Sequence, residues 1–320
     1  MRLKDLHLLP RVSDSLSYLY VEHCRVDREA KAIAIHNEDG LTPVPCAALS
    51  VLLLGPGTKI THAAVQTLAD NGCLIIWTGE ESVRFYASGM GETRQAANLL
   101  RQARLCSNES LRLQVATGMY RMRFGPELPE NLSIKQLRGM EGVRVRDAYA
   151  RASRLTGVAW TGRNYDRRNW RKADPVNRAL SCANSCLYGV CHSAIAAAGY
   201  SPALGFIHTG KMLSFVYDIA DLYKTEITVP AAFQAAGEGK ENLERRTRLY
   251  CRDMFRETRL LARVVKDIEN LFDIQEPGKP EKDFDSDPAS PGGLWDPEHP
   301  DGIDGGVQYG GDDPKQEEES

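Results

Sequence analysis

The first ninety residues alternate apolar and polar positions with the two-residue period of half-buried strands. Leu16, Tyr18 and Tyr20 alternate with polar neighbours, Ile33 and Ile35 repeat the pattern, and Val51–Leu54, Cys73–Trp77 and Val83–Tyr86 are short β-prone runs. Asp39-Gly40, Gly55-Pro56-Gly57 and Asn71-Gly72 punctuate them as turns. One helix is predicted over 62–70, entered through Thr61 as its N-cap. From Glu92 the period lengthens: Leu99, Leu100, Leu105, Leu111, Leu113, Val115, Met119 and Met122 fall at three- and four-residue spacings. Further helical stretches are predicted over 133–156, 175–199, 210–225 and 241–273, in a region of six to nine helices. After Phe272, Pro, Gly and Asp replace the large apolar residues, which is the composition of a disordered tail. The pattern therefore predicts an α+β multidomain chain. A small β-rich domain with one short helix covers 1–90, an all-α domain covers 91–275, and a flexible acidic tail covers 276–320.

Charge sharpens that division. The whole chain carries a formal −3, but 276–320 holds 14 acids and 3 bases, a net of −11. That leaves 29 acids and 37 bases, a net of +8, on 1–275. A basic body beside an acidic tail points to a polyanionic partner, nucleic acid first, with a solvated surface and a solubilising tail as the bland alternative. No apolar run approaches the roughly eighteen residues that span a bilayer. Met1–Asp5 begin no apolar stretch with a cleavage site, so a cytoplasmic protein without a membrane segment is expected. The eight cysteines form no CxxC pair; Cys182, Cys186 and Cys191, spaced by four and five, read as buried thiols and not as a structural metal site.

Two segments carry candidate chemistry. In Phe206-Ile207-His208-Thr209-Gly210-Lys211 followed by Ser214–Asp221, a helix from Lys211 places Asp218 and Asp221 three apart, on one face, with His208 on the loop before them. One imidazole and two carboxylates suit Mn²⁺ or Mg²⁺, which could serve phosphoryl transfer. The plainer reading is a polar stripe of Ser214, Asp218, Asp221 and Lys224, with Asp221 and Lys224 a helix salt pair. In the second segment, Gly139 and Gly142 bracket Glu141 within a helical stretch, at a helix cost of about 1 kcal/mol each relative to Ala. That cost implies a close approach of backbone or another helix, or else a helix joint with a surface glutamate.

These segments also carry a resemblance. RGMEG with Glu141, GFIHTG with His208, and SFVYDIADLYK with Asp218 and Asp221 resemble the motifs of the CRISPR-associated spacer integrase (Cas-one) family. LGPGTKITHAAV, VRFYASG, RMRFGPELP, NSCLYGV and AAGYSPALGFIHTGK narrow the resemblance to subtype I-E, over residues 10–273. It implies a β-sandwich-like N-terminal domain, an α-helical C-terminal domain, and a metal site of Glu141, His208 and Asp221 with Asp218 beside it. The family joins 3′-OH ends of a short duplex to the ends of a CRISPR repeat by direct transesterification, and its nuclease activity is the same chemistry with water as attacker. It assembles as two homodimers bridged by a dimer of a small ferredoxin-like companion subunit. A stand-alone metal nuclease acting on branched DNA and a catalytically silent DNA-binding scaffold remain as alternatives.

Around the site, Trp160–Lys172 holds five bases and three aromatics in thirteen residues, which suits phosphate contact and stacking on frayed ends; the alternative is a surface loop with Trp160 and Trp170 anchored in the core. Arg245, Arg248, Arg252, Arg256, Arg259 and Arg263 keep one face of a single helix, with Glu244 placed to pair with Arg248. The resemblance implies DNA contacts for Lys59, Arg84, Arg163, Tyr165, Trp170, Tyr188, Arg245 and Arg248, and a ring stacked on the duplex end at His23. It also implies that Lys211, Tyr217 and Lys224, beside the metal residues, face the 3′ overhang. Phe284, Leu294, Trp295 and Ile303 in the acidic tail read as a docking motif for the companion subunit, or else as a free linker.

Overall fold

The computed structural model describes residues 18–30, 32–46, 49–80, 84–89, 96–124, 129, 132–163 and 174–274, all within the unit Met1–Pro277. Among the described residues, eight strands come first. β1 (Tyr18–Val21), β5 (Val51–Leu54), β7 (Leu74–Thr78) and β8 (Phe85–Gly89) form one sheet in the order β1-β5-β7-β8, parallel except for β8. β4 (Gly40–Pro45), β3 (Ala32–Asn37), β2 (Arg25–Glu29) and β6 (Lys59–Ile60) form a second, in the order β4-β3-β2-β6. The described residues of the β-prone runs named above fall in or beside β1, β3, β5, β7 and β8; Leu16 and Val83 lie outside the described residues. The alternation does not mark β2, β4 and β6: β2 is charged, β6 has two residues, and β4 contains Pro43 and Pro45. Proline is tolerated there because β4 is an edge strand, with one side of its ladder unpaired.

Helix α1 (His62–Asp70) forms where Thr61 caps it, accepting the Ala64 N–H at 3.3 Å. It packs with Val26, Ile33 and Ile35 of the second sheet against Leu52, Leu54 and Ile75 of the first. The other face of the first sheet, Val51, Leu53, Leu74 and Ile76, belongs to the core of the helical region. β5 is buried on both faces for this reason, and its sequence is a continuous apolar run and not an alternation.

Helices α2 (Ala97–Ser107), α3 (Glu109–Phe124), α4 (Ile134–Thr156) and α5 (Pro175–Ala197) follow. A capping box fixes the start of α4: Ser133 accepts the Gln136 N–H, Gln136 accepts the Ser133 N–H, and Gly157 ends the helix in the left-handed region at φ 70°. Asp174 caps α5, whose first residue is proline. α5 is buried along most of its length and packs against α6 (Ser214–Ala220), α7 (Val229–Gly237), α8 (Leu243–Glu257) and α9 (Leu260–Phe272). Its alanines, serines, cysteines and glycine let those neighbours close around it. All eight cysteines are free thiols, six of them buried.

Three expectations are corrected. The stretch 210–225 is shorter than predicted: α6 begins at Ser214, and a π-helix occupies Lys224–Thr228. α7 lies outside the predicted stretches: it is short and Gln234 is its one polar side chain, so no polar–apolar alternation marks it, and only Pro230, Gln234 and Gly237 are exposed. The stretch 241–273 is two helices broken at Arg259, which adopts φ 46°, so Arg259 and Arg263 do not continue the α8 arginine face. The acidic tail lies outside the described residues. No helix among the described residues is long and apolar enough to cross a membrane.

Two measurements probe this packing. Leu53→Ala opens a cavity where the sheet meets the helices and should cost about 2–5 kcal/mol in urea unfolding. At the same seam His192 of α5 stacks on Phe85 at 3.6 Å, and burial lowers its pKa to about 4. Folded His192 stays neutral while the unfolded residue protonates below about pH 6.5, so stability should fall as pH drops from 6.5 towards 4 and be level above that window. His192→Phe should flatten that decline in urea midpoints taken between pH 7 and pH 5.

Candidate active site

Asp218 lies in α6 with none of its surface exposed. Its Oδ2 accepts the N–H groups of Phe206 at 2.6 Å and Ile207 at 3.0 Å, and its Oδ1 accepts the N–H of His208 at 2.8 Å. Oδ1 also lies 2.7 Å from His208 Nδ1. A carboxylate only accepts, so Nδ1 carries the proton and Nε2 is left as the electron-pair donor. The Asp218 hydrogen bond lifts His208 above the usual histidine range; partial burial opposes this, and the nearby Asp221 adds to it. Phe206, the first residue of the held loop, is anchored in an aromatic cluster with Phe215 and Phe272. Gly205 permits the fold-back, since a Cβ there would collide with the His208 carbonyl oxygen and lie 2.8 Å from Ser214 Cβ.

Asp221 follows α6 as its C-cap and pairs with Lys224 Nζ at 2.5 Å. Lys224 sits over the Tyr188 ring at 5.1 Å. Burial pulls this ammonium down, but Asp221 and Tyr188 outweigh it and hold the group above the ordinary lysine range. Tyr188 meets Tyr217 edge-on at 5.0 Å, and Tyr217 meets His208 edge-on at 5.9 Å. Lys224 opens the π-helix, a feature frequent at functional sites.

Glu141 reaches the same region from α4. Arg144 forks onto it, Nε to Oε2 and Nη2 to Oε1, both at 2.9 Å, and Nη1 continues to Thr225 Oγ1 at 2.8 Å. Arg123 of α3 lies 3.5 Å from Glu141 Oε1 and donates to the Asp218 carbonyl at 3.4 Å. Glu141, His208 and Asp221, from three separate segments, are thus joined through Arg144–Thr225, Lys224 and the two tyrosines. The spacing of Asp218 and Asp221 misleads in one respect: Asp218 faces the loop and not the open side, with both oxygens committed. The glycines beside Glu141 have no packing cause either, because a Cβ at Gly139 or Gly142 would meet nothing within 4 Å.

Donor types here suit Mg²⁺ or Mn²⁺: an imidazole nitrogen whose ring is fixed from behind by the Asp218 carboxylate, and two further carboxylates. As placed, no three His, Cys, Asp or Glu side chains among the described residues are gathered to hold an ion. Each carboxylate instead meets a cation of the chain itself, Arg144 on Glu141 and Lys224 on Asp221.

Of the residues expected at DNA, Lys59, Arg84, Lys211 and Arg245 are exposed, and Arg248 is half-buried. Tyr188, Tyr217 and Lys224 line the site itself. Arg163 donates to the Asn177 carbonyl and side-chain oxygens at 2.9 and 2.8 Å and to Ser181 Oγ at 2.6 Å, fastening its segment to α5. Trp160 stacks on Tyr149 at 4.5 Å, as the anchored reading of that loop requires. Tyr165 and Trp170 lie outside the described residues. Glu244 pairs with Arg178 and not with Arg248. His23 is exposed, at φ 49°. Sequence reasoning does not reach Arg123, Arg144 and Thr225; only Arg144, one turn after Glu141, has a signal in the sequence.

The family model for CRISPR associated protein Cas1 matches residues 17–125 and 122–245. The chain is 58% identical over 313 residues to CRISPR-associated endonuclease Cas1 2 of Thermus thermophilus, covering 97% of this chain and 95% of the relative. It is 43% identical over 274 residues to CRISPR-associated endonuclease Cas1 of Escherichia coli, covering 84% of this chain and 90% of the relative. A crystal structure of a TtCas1–DNA complex superposes with a TM-score of 0.78 at 58% identity, covering 83% of this chain and all of the other.

Gly205→Ala should displace the His208 loop. It is expected to lower the melting temperature by several degrees, as a loss of about 1–2 kcal/mol does in a chain of this size, and to erase the downfield His208 Nδ1 proton signal in NMR.

Proposed function

Because the chain belongs to the Cas1 family of CRISPR-associated proteins, we propose that it is the integrase of a CRISPR adaptation system, of subtype I-E, with an associated DNA endonuclease activity. The observation that carries this reading is the joining of Glu141, His208 and Asp221 from three segments around one π-turn. Glu141, His208 Nε2 and Asp221 are the proposed ligands of Mg²⁺ or Mn²⁺, and Asp218 holds the imidazole and its loop. When bound, the ion would neutralise charge developing on the scissile phosphate and orient the attacking hydroxyl.

The proposed reaction is a transesterification. A 3′ oxygen of the incoming duplex bonds to phosphorus, the phosphorus bond to the outgoing 3′ oxygen breaks, and the proton of the attacking hydroxyl ends on the leaving oxygen. One phosphodiester replaces another, so neither an energy-rich cofactor nor a covalent protein intermediate is needed. With water as attacker the same groups perform hydrolysis. Lys59, Arg84, Arg163, Arg245 and Arg248 are proposed to hold duplex phosphates, and Tyr165, Trp170, Tyr188, Tyr217, Lys211 and Lys224 to meet the 3′ strand near the site. Similarity to the TtCas1 chain crystallised with DNA supports DNA as the substrate class. We propose a homodimer working with a small ferredoxin-like companion subunit on duplexes with 3′ overhangs and on repeat DNA. Domains of 1–90 and 91–275 and an acidic tail of 276–320 complete the proposal. The free thiols support a reducing compartment, the cytoplasm.

Strand transfer tests it. A short fluorescent duplex with 3′-OH ends, a repeat-bearing supercoiled plasmid, the companion subunit and Mn²⁺ or EDTA should give metal-dependent label in the plasmid, lost when the 3′ ends are blocked. Asp221→Ala should lower joining by at least about a hundredfold while duplex binding in gel shifts stays within about twofold. Cleavage without joining would make the chain a nuclease only. Equal loss of binding and joining in Asp221→Ala would make that residue structural.

A further inference from the structure

Glu141 is met by two arginines of unlike exposure. Arg123 has 3% of its side chain exposed, lies over the Tyr120 ring at 5.1 Å and is held at the Asp218 carbonyl, so it is walled in. Arg144 has 23% exposed and approaches from the same helix, one turn on. Its fork engages both Glu141 oxygens at once, so a metal ion binding at either oxygen would have to compete with the guanidinium there. Its third contact, Nη1 to Thr225, gives it a second holding point away from the glutamate.

The charges make the arrangement a balanced one. Three carboxylates, Glu141, Asp218 and Asp221, stand beside three side-chain cations, Arg123, Arg144 and Lys224. Adding a divalent ion to that balance leaves an excess of two positive charges in a half-buried place unless cations withdraw. The cation better able to withdraw from Glu141 is Arg144, since it is partly exposed and Arg123 is enclosed.

We infer that Arg144 is a charge placeholder, a positioning residue that occupies the Glu141 carboxylate until a divalent cation displaces it. The inference rests on the metal reading of Glu141 proposed above.

Mn²⁺ binding to the full chain, followed by isothermal calorimetry and by the loss of the free-ion EPR signal, tests this without turnover. Arg144→Gln should bind Mn²⁺ about tenfold more tightly than wild type, because the ion no longer has to break a forked ion pair. Arg146→Gln removes the same charge from the same helix; Arg146 touches the Gly142 carbonyl and not Glu141, so its affinity should change by less than about twofold. Arg144→Lys keeps the charge but cannot fork; it should fall between wild type and Arg144→Gln, and it carries the test if the glutamine variant melts early. Glu141→Gln should weaken binding by at least about tenfold. If neither Arg144 variant gains affinity while Glu141→Gln loses it, the placeholder is overturned and the metal site stands. A gain in Arg146→Gln equal to that in Arg144→Gln overturns the placeholder too, in favour of bulk charge. If Glu141→Gln binds as wild type does, or no protein binds Mn²⁺, the metal assignment of Glu141 falls first and takes the placeholder with it.

Discussion

The Asp218 carboxylate is the constraint on which the site depends. Withdrawing it fully from water would be costly if it were not satisfied, and here three backbone N–H groups and one imidazole N–H satisfy it. Those bonds tie Phe206, Ile207 and His208 to α6. They fix where the loop runs, which tautomer His208 holds and which nitrogen it presents. The aromatic cluster of Phe206, Phe215 and Phe272 seats the same loop from the apolar side, so one short segment is held by polar and apolar contacts at once.

From that fixed point the rest of the site is reached through cations. Arg123 connects the Asp218 carbonyl to Glu141, Arg144 connects Glu141 to the π-turn, and Lys224 connects the π-turn to Asp221 and Tyr188. The π-turn is held from other sides as well, by Thr228 on Asn184 of α5 and by Glu226 on Arg263 of α9. A segment bonded to three helices keeps Lys224 and Thr225 in register with each other. Cations next to paired acids stabilise anions that are partly out of water.

The helical region and the first sheet share one core, which positions the site on a stiff base. β5 and β7 offer one face to α1 and the second sheet and the other to the helices, and α5 runs through the middle of the helical core. A change at the sheet therefore reaches the helix that carries Tyr188 and supports the π-turn. This continuity explains how a chain with a strand-rich start and a helix-rich remainder can build its site entirely from the second part without leaving the first as an independent appendage.

Much of this was legible in the residues. Thr61 marks a helix start because capping is a local matter, settled within four residues. Glu141, His208 and Asp221 were named as a set only through the motifs of the family resemblance; spacing alone left a polar stripe and a surface glutamate as the plainer readings. What the sequence could not carry was the set of partners. Arg144 and Thr225 stand 81 residues apart, and Arg123 and Asp218 stand 95 apart. Periodicity tells which face of a helix is apolar but not which side chain of another helix meets its polar face. α7, apolar but for Gln234, and the break at Arg259 escaped for the same reason: no local pattern encodes a neighbour that only the packed chain supplies. The sequence alone determined most of the helices, five of the strands and the Thr61 cap, because these rest on contacts within a turn or two. The tertiary structure decided that Asp218 holds the loop while Asp221 faces Lys224, since burial of one carboxylate and not the other depends on how α6 packs against the loop before it.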